Sequence, residues 1–233
     1  MSDNDIYKIG ISILDSDYLN LGDELLKIKK SGVDFIHLDV MDGNFVPQTA
    51  FGQIMVSHLV KRADIPVNVH LMIKNTDEQI DSYIRLAPDS ITVHSETCIH
   101  LDRVISAITA SGISAGVALN PSTPVSFVEN ILDKISSILI LTVNPGLGGQ
   151  DFLESMPAKI RKAREMIRTY KKTENRKSFI DIRVDGGINS STIIKARDAG
   201  ADTFIIGSSF FKSSDPTRFI KDLKDLINKN RII

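Results

Sequence analysis

Cysteine is nearly absent from this chain of 233 residues. Cys98 stands alone, so no intramolecular disulfide can form, which fits a reducing compartment. Charge of one sign is also lacking: a formal net charge of −1 leaves no electrostatic footprint for nucleic acid or an acidic membrane. The charge runs Arg161-Lys162 and Lys171-Lys172 fall in an amphipathic stretch and read as a solvated helix face. The longest apolar runs, such as Ile138–Leu141, have the length of a strand and fall far short of a bilayer span. Met1 to Lys8 is polar and acidic, without the apolar stretch of a signal peptide. No Walker A loop, nucleophile elbow or CxxC pair occurs. The expectation is a soluble, cytoplasmic protein with neither nucleic-acid nor membrane partners.

What is present is alternation. Eight β-rich runs are expected near Tyr7–Ile13, Phe35–Val40, Val67–Leu71, Ser90–His94, Ser114–Leu119, Ser137–Val143, Phe179–Val184 and Thr203–Ile206. Several are almost continuously apolar, as parallel strands buried on both faces must be. Amphipathic helical stretches lie between them. Leu21, Leu25 and Ile28 form a stripe that Gly32 stops, and Thr76 with Gln79 has the form of a capping box. Thr123-Pro124 and Asp215-Pro216 each place a capping side chain before a first-turn proline. Lys171–Lys177 reads as a polar connection after a long sixth helix.

Ser31-Gly32-Val33-Asp34-Phe35-Ile36 and Ala199-Gly200-Ala201-Asp202-Thr203-Phe204 share a pattern running from helix end through glycine into strand. Leu86-Ala87-Pro88-Asp89-Ser90-Ile91 is a looser third copy. Eight such β/α units without long coil between them predict a single-domain TIM (β/α)8 barrel over residues 1–233. An open doubly wound sheet would show the same alternation, because periodicity does not reveal closure.

In a barrel the chemistry lies where strands end and βα loops begin. The second strand ends His37-Leu38-Asp39-Val40-Met41-Asp42-Gly43, and alternation puts His37, Asp39 and Met41 on one face. The third ends Asn68-Val69-His70-Leu71-Met72, and the seventh ends Arg183-Val184-Asp185-Gly186-Gly187. Two imidazoles and two carboxylates meeting at the mouth would suit Zn, Mn, Co or Fe(II), with coordination left open for a substrate. A His-x-Asp on a strand equally suits a buried hydrogen-bonded pair, and His70 alone equally suits a satisfied core histidine. Asn144-Pro145-Gly146-Leu147-Gly148-Gly149-Gln150, Gly186-Gly187 and Gly207-Ser208-Ser209 follow the sixth, seventh and eighth strands. Glycine lets backbone N–H groups approach an anion, so three adjacent loops of this kind point to phosphate. His94, with Glu96 two residues on, lines the mouth or supports groups that do; His58 and His100 fall in helical stretches as surface or packing residues. Met41 and Met72 fit core filler or an apolar lid.

The stretches His37 to Pro47, Val69-His70-Leu71-Met72-Ile73 and Val143 to Gln150 closely resemble the ribulose-phosphate 3-epimerase family, as do Ile11-Ser12-Ile13-Leu14 and Val184-Asp185-Gly186-Gly187. The likeness runs in order over almost the whole chain. It implies one divalent cation (Zn, Fe(II), Mn or Co) held by His37, Asp39, His70 and Asp185, with Asp39 and Asp185 as the acid–base pair. It also implies substrate contacts from Ser12, Met41, His70, Met72 and Asp185. The phosphate would be held by Gly146, Leu147, Gly148, Gly149, Gly186, Gly187, Gly207 and Ser208. The activity implied is interconversion of D-ribulose 5-phosphate and D-xylulose 5-phosphate in the pentose phosphate pathway of carbohydrate metabolism, by a homo-oligomer, dimer or hexamer. Three positions depart from the pattern: Ile11 where proline is usual, Leu141 in place of a third methionine, and Gln48-Thr49-Ala50 after Pro47 where an asparagine is more common. A six-carbon ketose phosphate is therefore the alternative substrate, and a non-catalytic phospho-sugar-binding barrel is the alternative class. Related decarboxylases carry Asp-x-Lys-x-x-Asp at the third strand, where this chain reads His70-Leu71-Met72-Ile73-Lys74.

Overall fold

The computed structural model describes residues 7–173 and 179–229. Its strands are β1 (Lys8–Ser12), β2 (Phe35–Asp42), β3 (Thr49–Ala50), β4 (Val67–Met72), β5 (Ser90–His94), β6 (Ser114–Leu119), β7 (Ser137–Leu141), β8 (Asp181–Asp185) and β9 (Thr203–Ile206). The helices are α1 (Leu21–Lys30), α2 (Gln53–Arg62), α3 (Thr76–Ile84), α4 (Leu101–Ala110), α5 (Met156–Thr173), α6 (Thr192–Ala199), α7 (Ser208–Phe211) and α8 (Pro216–Asn228). All strands but β3 pair in parallel in the order β1-β9-β8-β7-β6-β5-β4-β2, and the β1–β2 pairing closes the ring. The sheet is a closed eight-stranded β/α barrel, so the open-sheet alternative falls. The two-residue β3, antiparallel to the end of β2, had no periodic signal to betray it.

Two layers of packing hold the barrel. The larger core lies between strands and helices and includes Ile9, Ile11, Leu38, Val69, Ile91, Val117, Ile138, Val184 and Phe204, each 0% exposed. The alternate positions of the same strands form the other layer. Phe35, Ala118, Leu139, Leu141 and Ile205 make a separate apolar cluster. Polar side chains share this layer and bond to one another: the Asn68 amide donates to Ser90 and Thr92, and Thr203 and Arg183 both donate to Asp181.

The recurring αβ turn has a use that its glycine does not announce. Asp34, Asp89 and Asp202 each accept, at 2.8 Å, the backbone N–H of a neighbouring strand: Ile9, Val67 and Ile182 respectively. The aspartate of each copy thus satisfies a donor where the adjoining strand starts. In the copy without glycine, Ala87 takes the positive φ, at 52°.

Helix starts divide between expected and unexpected. Asp215 accepts from Arg218 N–H ahead of Pro216, as its pattern requires. The capping box at Thr76 does not form; its hydroxyl turns back to Ile73 O and pairs with Thr97. Pro124 precedes a 3-10 segment, Val125–Ile131, and Thr123 donates to Glu96 instead of capping it. Of the connection expected at Lys171–Lys177, Lys171 to Thr173 continue α5, and 174–177 lie outside the described residues, as do 1–6 of the N-terminal stretch. No described helix is long and apolar enough to cross a membrane.

Candidate active site

Strand register assembles the site. Ser12 of β1 stands beside His37 of β2, and Asp39 stands beside His70 of β4. Asp185 is the last residue of β8. His37, Asp39, His70 and Asp185 each offer one ligand atom within 4.8 Å of all the others. His37 Nε2 lies 3.2 Å from Asp39 Oδ1, 3.2 Å from His70 Nδ1 and 3.9 Å from Asp185 Oδ2. His70 Nδ1 lies 3.0 Å from Asp39 Oδ1. Both rings are fully buried. Ser12 donates to the other Asp39 oxygen, Oδ2, at 2.5 Å, which leaves Oδ1 turned to the cluster.

The same enclosure pushes the two carboxylates apart. Burial raises the Asp185 carboxyl, and the nearby Asp39 charge raises it further, to about 7. Burial also opposes ionisation of Asp39, but His37 and His70 beside it outweigh that and hold its carboxyl well below the usual range. Burial lowers His70 to about 4, whereas Asp39 overcomes burial at His37 and raises it. Two carboxylates and two imidazoles, packed with their acceptor atoms facing one another, form a donor set that fits a divalent cation of the borderline, nitrogen- and oxygen-loving kind. A cation there would relieve the repulsion that lifts Asp185.

Behind the cluster the polar contacts continue. His70 Nε2 lies 3.0 Å from His94 Nε2, and His94 Nδ1 lies 3.1 Å from Glu96 Oε2. Glu96 also accepts from the backbone N–H of Asn120 at 2.7 Å and from the Thr123 hydroxyl.

In front of the cluster a cavity opens among the βα loops. Ser12, Asp39, Met41, Met72 and Asp185 line its floor, and Gly146 to Gly149, Gly186, Gly187, Gly207 and Ser208 line its rim. Of the residues expected at the substrate, all but His70 face this cavity; His70 is sealed beneath it. The rim demands glycine at two places above all. Gly186 has φ +110° and Gly187 has φ +65°, and a Cβ on Gly187 would stand 2.5 Å from Phe152 N. Leu141, one of the departures, is in the wall. Sequence patterns gave no sign of Asp15, whose carboxylate faces Gly148 across the rim, nor of Asn68, the lateral neighbour of His37. His58, on α2, and His100, which lies in the turn just before α4 and not within a helix as expected, are exposed and outside the cluster.

Residues 8–211 match the family model described as "Ribulose-phosphate 3 epimerase family". The chain belongs to the ribulose-phosphate 3-epimerase family. A ribulose-phosphate 3-epimerase of Bacillus subtilis is 39% identical over 93% of this chain and 98% of its own length. One from Methanocaldococcus jannaschii is 40% identical over 94% of the chain and 90% of its own length. A chloroplastic ribulose-5-phosphate-3-epimerase of Arabidopsis thaliana is 39% identical over 91% and 74% respectively. Among solved structures, a 3-hexulose-6-phosphate synthase superposes with TM-score 0.62 at 19% identity, covering 94% of this chain and 99% of the other. KGPDC from Streptococcus mutans superposes with TM-score 0.66 at 16% identity, covering 96% and 98%. At such identity the likeness shows the barrel fold alone. The relatives in the family are epimerases, enzymes of the isomerase class, and the His/Asp cluster fits a metal site.

Proposed function

We propose that the chain is a metal-dependent epimerase that interconverts D-ribulose 5-phosphate and D-xylulose 5-phosphate by 1,1-proton transfer. The observation that carries this reading is the joint presence, in a chain of this family, of Asp39 and Asp185 in one buried cluster at the floor of a glycine-rimmed cavity. The two sugars differ in configuration at the carbon next to the ketone. Inverting it means removing a proton from one face of a planar enediolate and returning one to the other, which takes two acid–base groups. Asp39 and Asp185 reach the floor from β2 and β8, with β1 and β9 between them in the barrel. In the metal-free site their environments differ: Asp39 is ionised, and Asp185, raised to about 7, is partly protonated near neutrality, whereas a bound cation would favour the ionised form of both.

Ser12 fixes the Asp39 carboxylate through Oδ2. Met41 and Met72, both nearly buried, close an apolar wall around the reacting carbons and exclude water. Backbone N–H groups of the glycine loops hold the phosphate, so that binding at the remote end positions the reacting carbon. Zn, Fe(II), Mn or Co, held by His37, Asp39, His70 and Asp185, supplies positive charge for the oxygens that become negative. The family resemblance adds a homo-oligomer, dimer or hexamer, working in the cytoplasm as one barrel domain.

Turnover of ribulose 5-phosphate in heavy water, followed by NMR, tests the proposal. Deuterium is expected at the inverted carbon of product and of recovered substrate; conversion without deuterium there would overturn proton transfer. A kcat/KM that is higher on six-carbon than on five-carbon ketose phosphates would move the substrate to the longer sugar and leave the chemistry intact.

A further inference from the structure

We propose that Glu96 and His94 form a positioning chain that decides which nitrogen of His70 carries hydrogen, and so presents the other nitrogen to the cluster as a lone pair. The inference rests on reading His37, Asp39, His70 and Asp185 as a metal site.

The chain starts from a group that only accepts. Glu96 Oε1 takes the Asn120 backbone N–H at 2.7 Å and the Thr123 hydroxyl. The second oxygen, Oε2, faces His94 Nδ1 at 3.1 Å. An ionised carboxylate has no hydrogen to give, so His94 must donate and its hydrogen sits on Nδ1. A neutral imidazole in that form has a lone pair on Nε2, and this atom faces His70 Nε2 at 3.0 Å. Two lone pairs do not bond, so His70 Nε2 carries the hydrogen. His70 Nδ1 is left as an acceptor, 3.0 Å from Asp39 Oδ1 and 3.2 Å from His37 Nε2, where the ligand atoms converge.

Burial makes this logic strict. His70 and His94 are both fully buried, so no bulk water stands by to satisfy a ring in the wrong form. The Glu96 side chain is 19% exposed and is held by a loop after β6, an element that contributes nothing to the cluster. Glu96 has two separable duties, one per oxygen: Oε1 anchors the loop from Asn120 to Thr123, and Oε2 orients His94.

Glu96→Gln separates them. Glutamine has a single acceptor, and the Asn120 N–H claims it. The amide then donates to His94 Nδ1, His94 Nε2 becomes the donor, and a hydrogen is driven onto His70 Nδ1 inside the cluster. Calorimetric titration of the metal-stripped full chain with Zn2+ is expected to show about a 10–100-fold loss of affinity in this variant. The 15N ring shifts of His70 and His94 are expected to report exchanged protonated nitrogens. Thr123→Val loosens only the loop contact and is expected to keep Zn2+ affinity within about twofold, with ring shifts unchanged.

Wild-type affinity and unchanged ring shifts in Glu96→Gln would overturn the proposal. So would a loss in Thr123→Val as large as that in Glu96→Gln, which would make it a loop effect. If Glu96→Gln does not fold, the Zn2+-loaded unmodified protein decides: a His94 ring protonated on Nε2 and not on Nδ1 overturns the proposal. No Zn2+ uptake by the unmodified protein would overturn the metal reading first, and this inference with it.

Discussion

Asp39 and Asp185 belong to one cluster yet lie at opposite ends of the carboxylate range. Each keeps its geometry if only its charge is removed, so Asp39→Asn and Asp185→Asn are each expected to lower kcat by at least about 100-fold. Circular dichroism should show the fold retained, and near-normal turnover in either variant would sink the two-base scheme. Metal-stripped protein offers a second test at this scale. A carboxyl raised from its ordinary 3.8 to about 7 contributes stability through its neutral form. That contribution is complete below about pH 3.8 and is lost as pH rises through about 7, a difference on the order of 4 kcal/mol. His37, raised as well, acts in the same direction. Asp39, lowered, acts in the opposite sense: its contribution is present above its ordinary value and fails only in strong acid. His70, lowered to about 4, also acts in the opposite sense: the cost of burying it falls away as pH rises from about 4 to its ordinary 6.5, which offsets Asp185 over that range. Chelated protein is therefore expected to lose urea midpoint between about pH 6.5 and pH 8, and a flat profile there would contradict the assignment.

At the scale of elements, the barrel depends on where strand ends send their donors. Val67 is 2% exposed, and its N–H is accepted by Asp89. Asp89→Ala leaves that donor unpaired and is expected to cost about 1–3 kcal/mol in denaturant unfolding. Asp89→Asn, which retains an acceptor, should cost less. Gly187→Ala forces a side chain into φ +65° and onto the backbone of Phe152, so about 1–3 kcal/mol of strain is expected. Because Gly187 lines the rim, KM for the phosphorylated ketose should rise as well. Elements were also where local patterns served unevenly. The strands were legible because burial on both faces leaves long apolar runs, and their ends fell within two residues of expectation. Asp215 was legible as a cap because its partner is three residues away. Thr76 and Thr123 carry the same local signal, but Thr97 and Glu96, distant in sequence, claim their hydroxyls. The recurring aspartates were visible as a pattern and opaque in purpose, since their acceptors serve a different strand.

At the scale of the whole molecule, closure converts four residues spread over about two thirds of the chain into one binding site. The cation and the fold are then coupled by mass action. Restoring Zn2+ to chelated protein at about a hundred times its Kd is expected to add about 2.7 kcal/mol of stability. Activity should vanish on chelation and return with the metal, and an enzyme indifferent to thorough chelation would defeat the metal assignment.

The sequence by itself determined the alternation of strands and helices, the strand ends on which His37, Asp39, His70 and Asp185 fall, and the glycine loops, because each depends on short-range periodicity or on a single residue's backbone freedom. Family motifs added which chemistry those residues serve. Only the tertiary structure decided that the sheet closes, since the β1–β2 pairing joins strands whose register no local pattern encodes. It alone set the divergence of Asp39 from Asp185, which comes from burial and from charged neighbours, His37 on the same strand as Asp39 and the others on different strands. It alone joined Glu96 through His94 to His70. His94 and Glu96 are near neighbours in sequence, but the contact of His94 with His70 joins β4 to β5, and its separation in sequence says nothing of its separation in space.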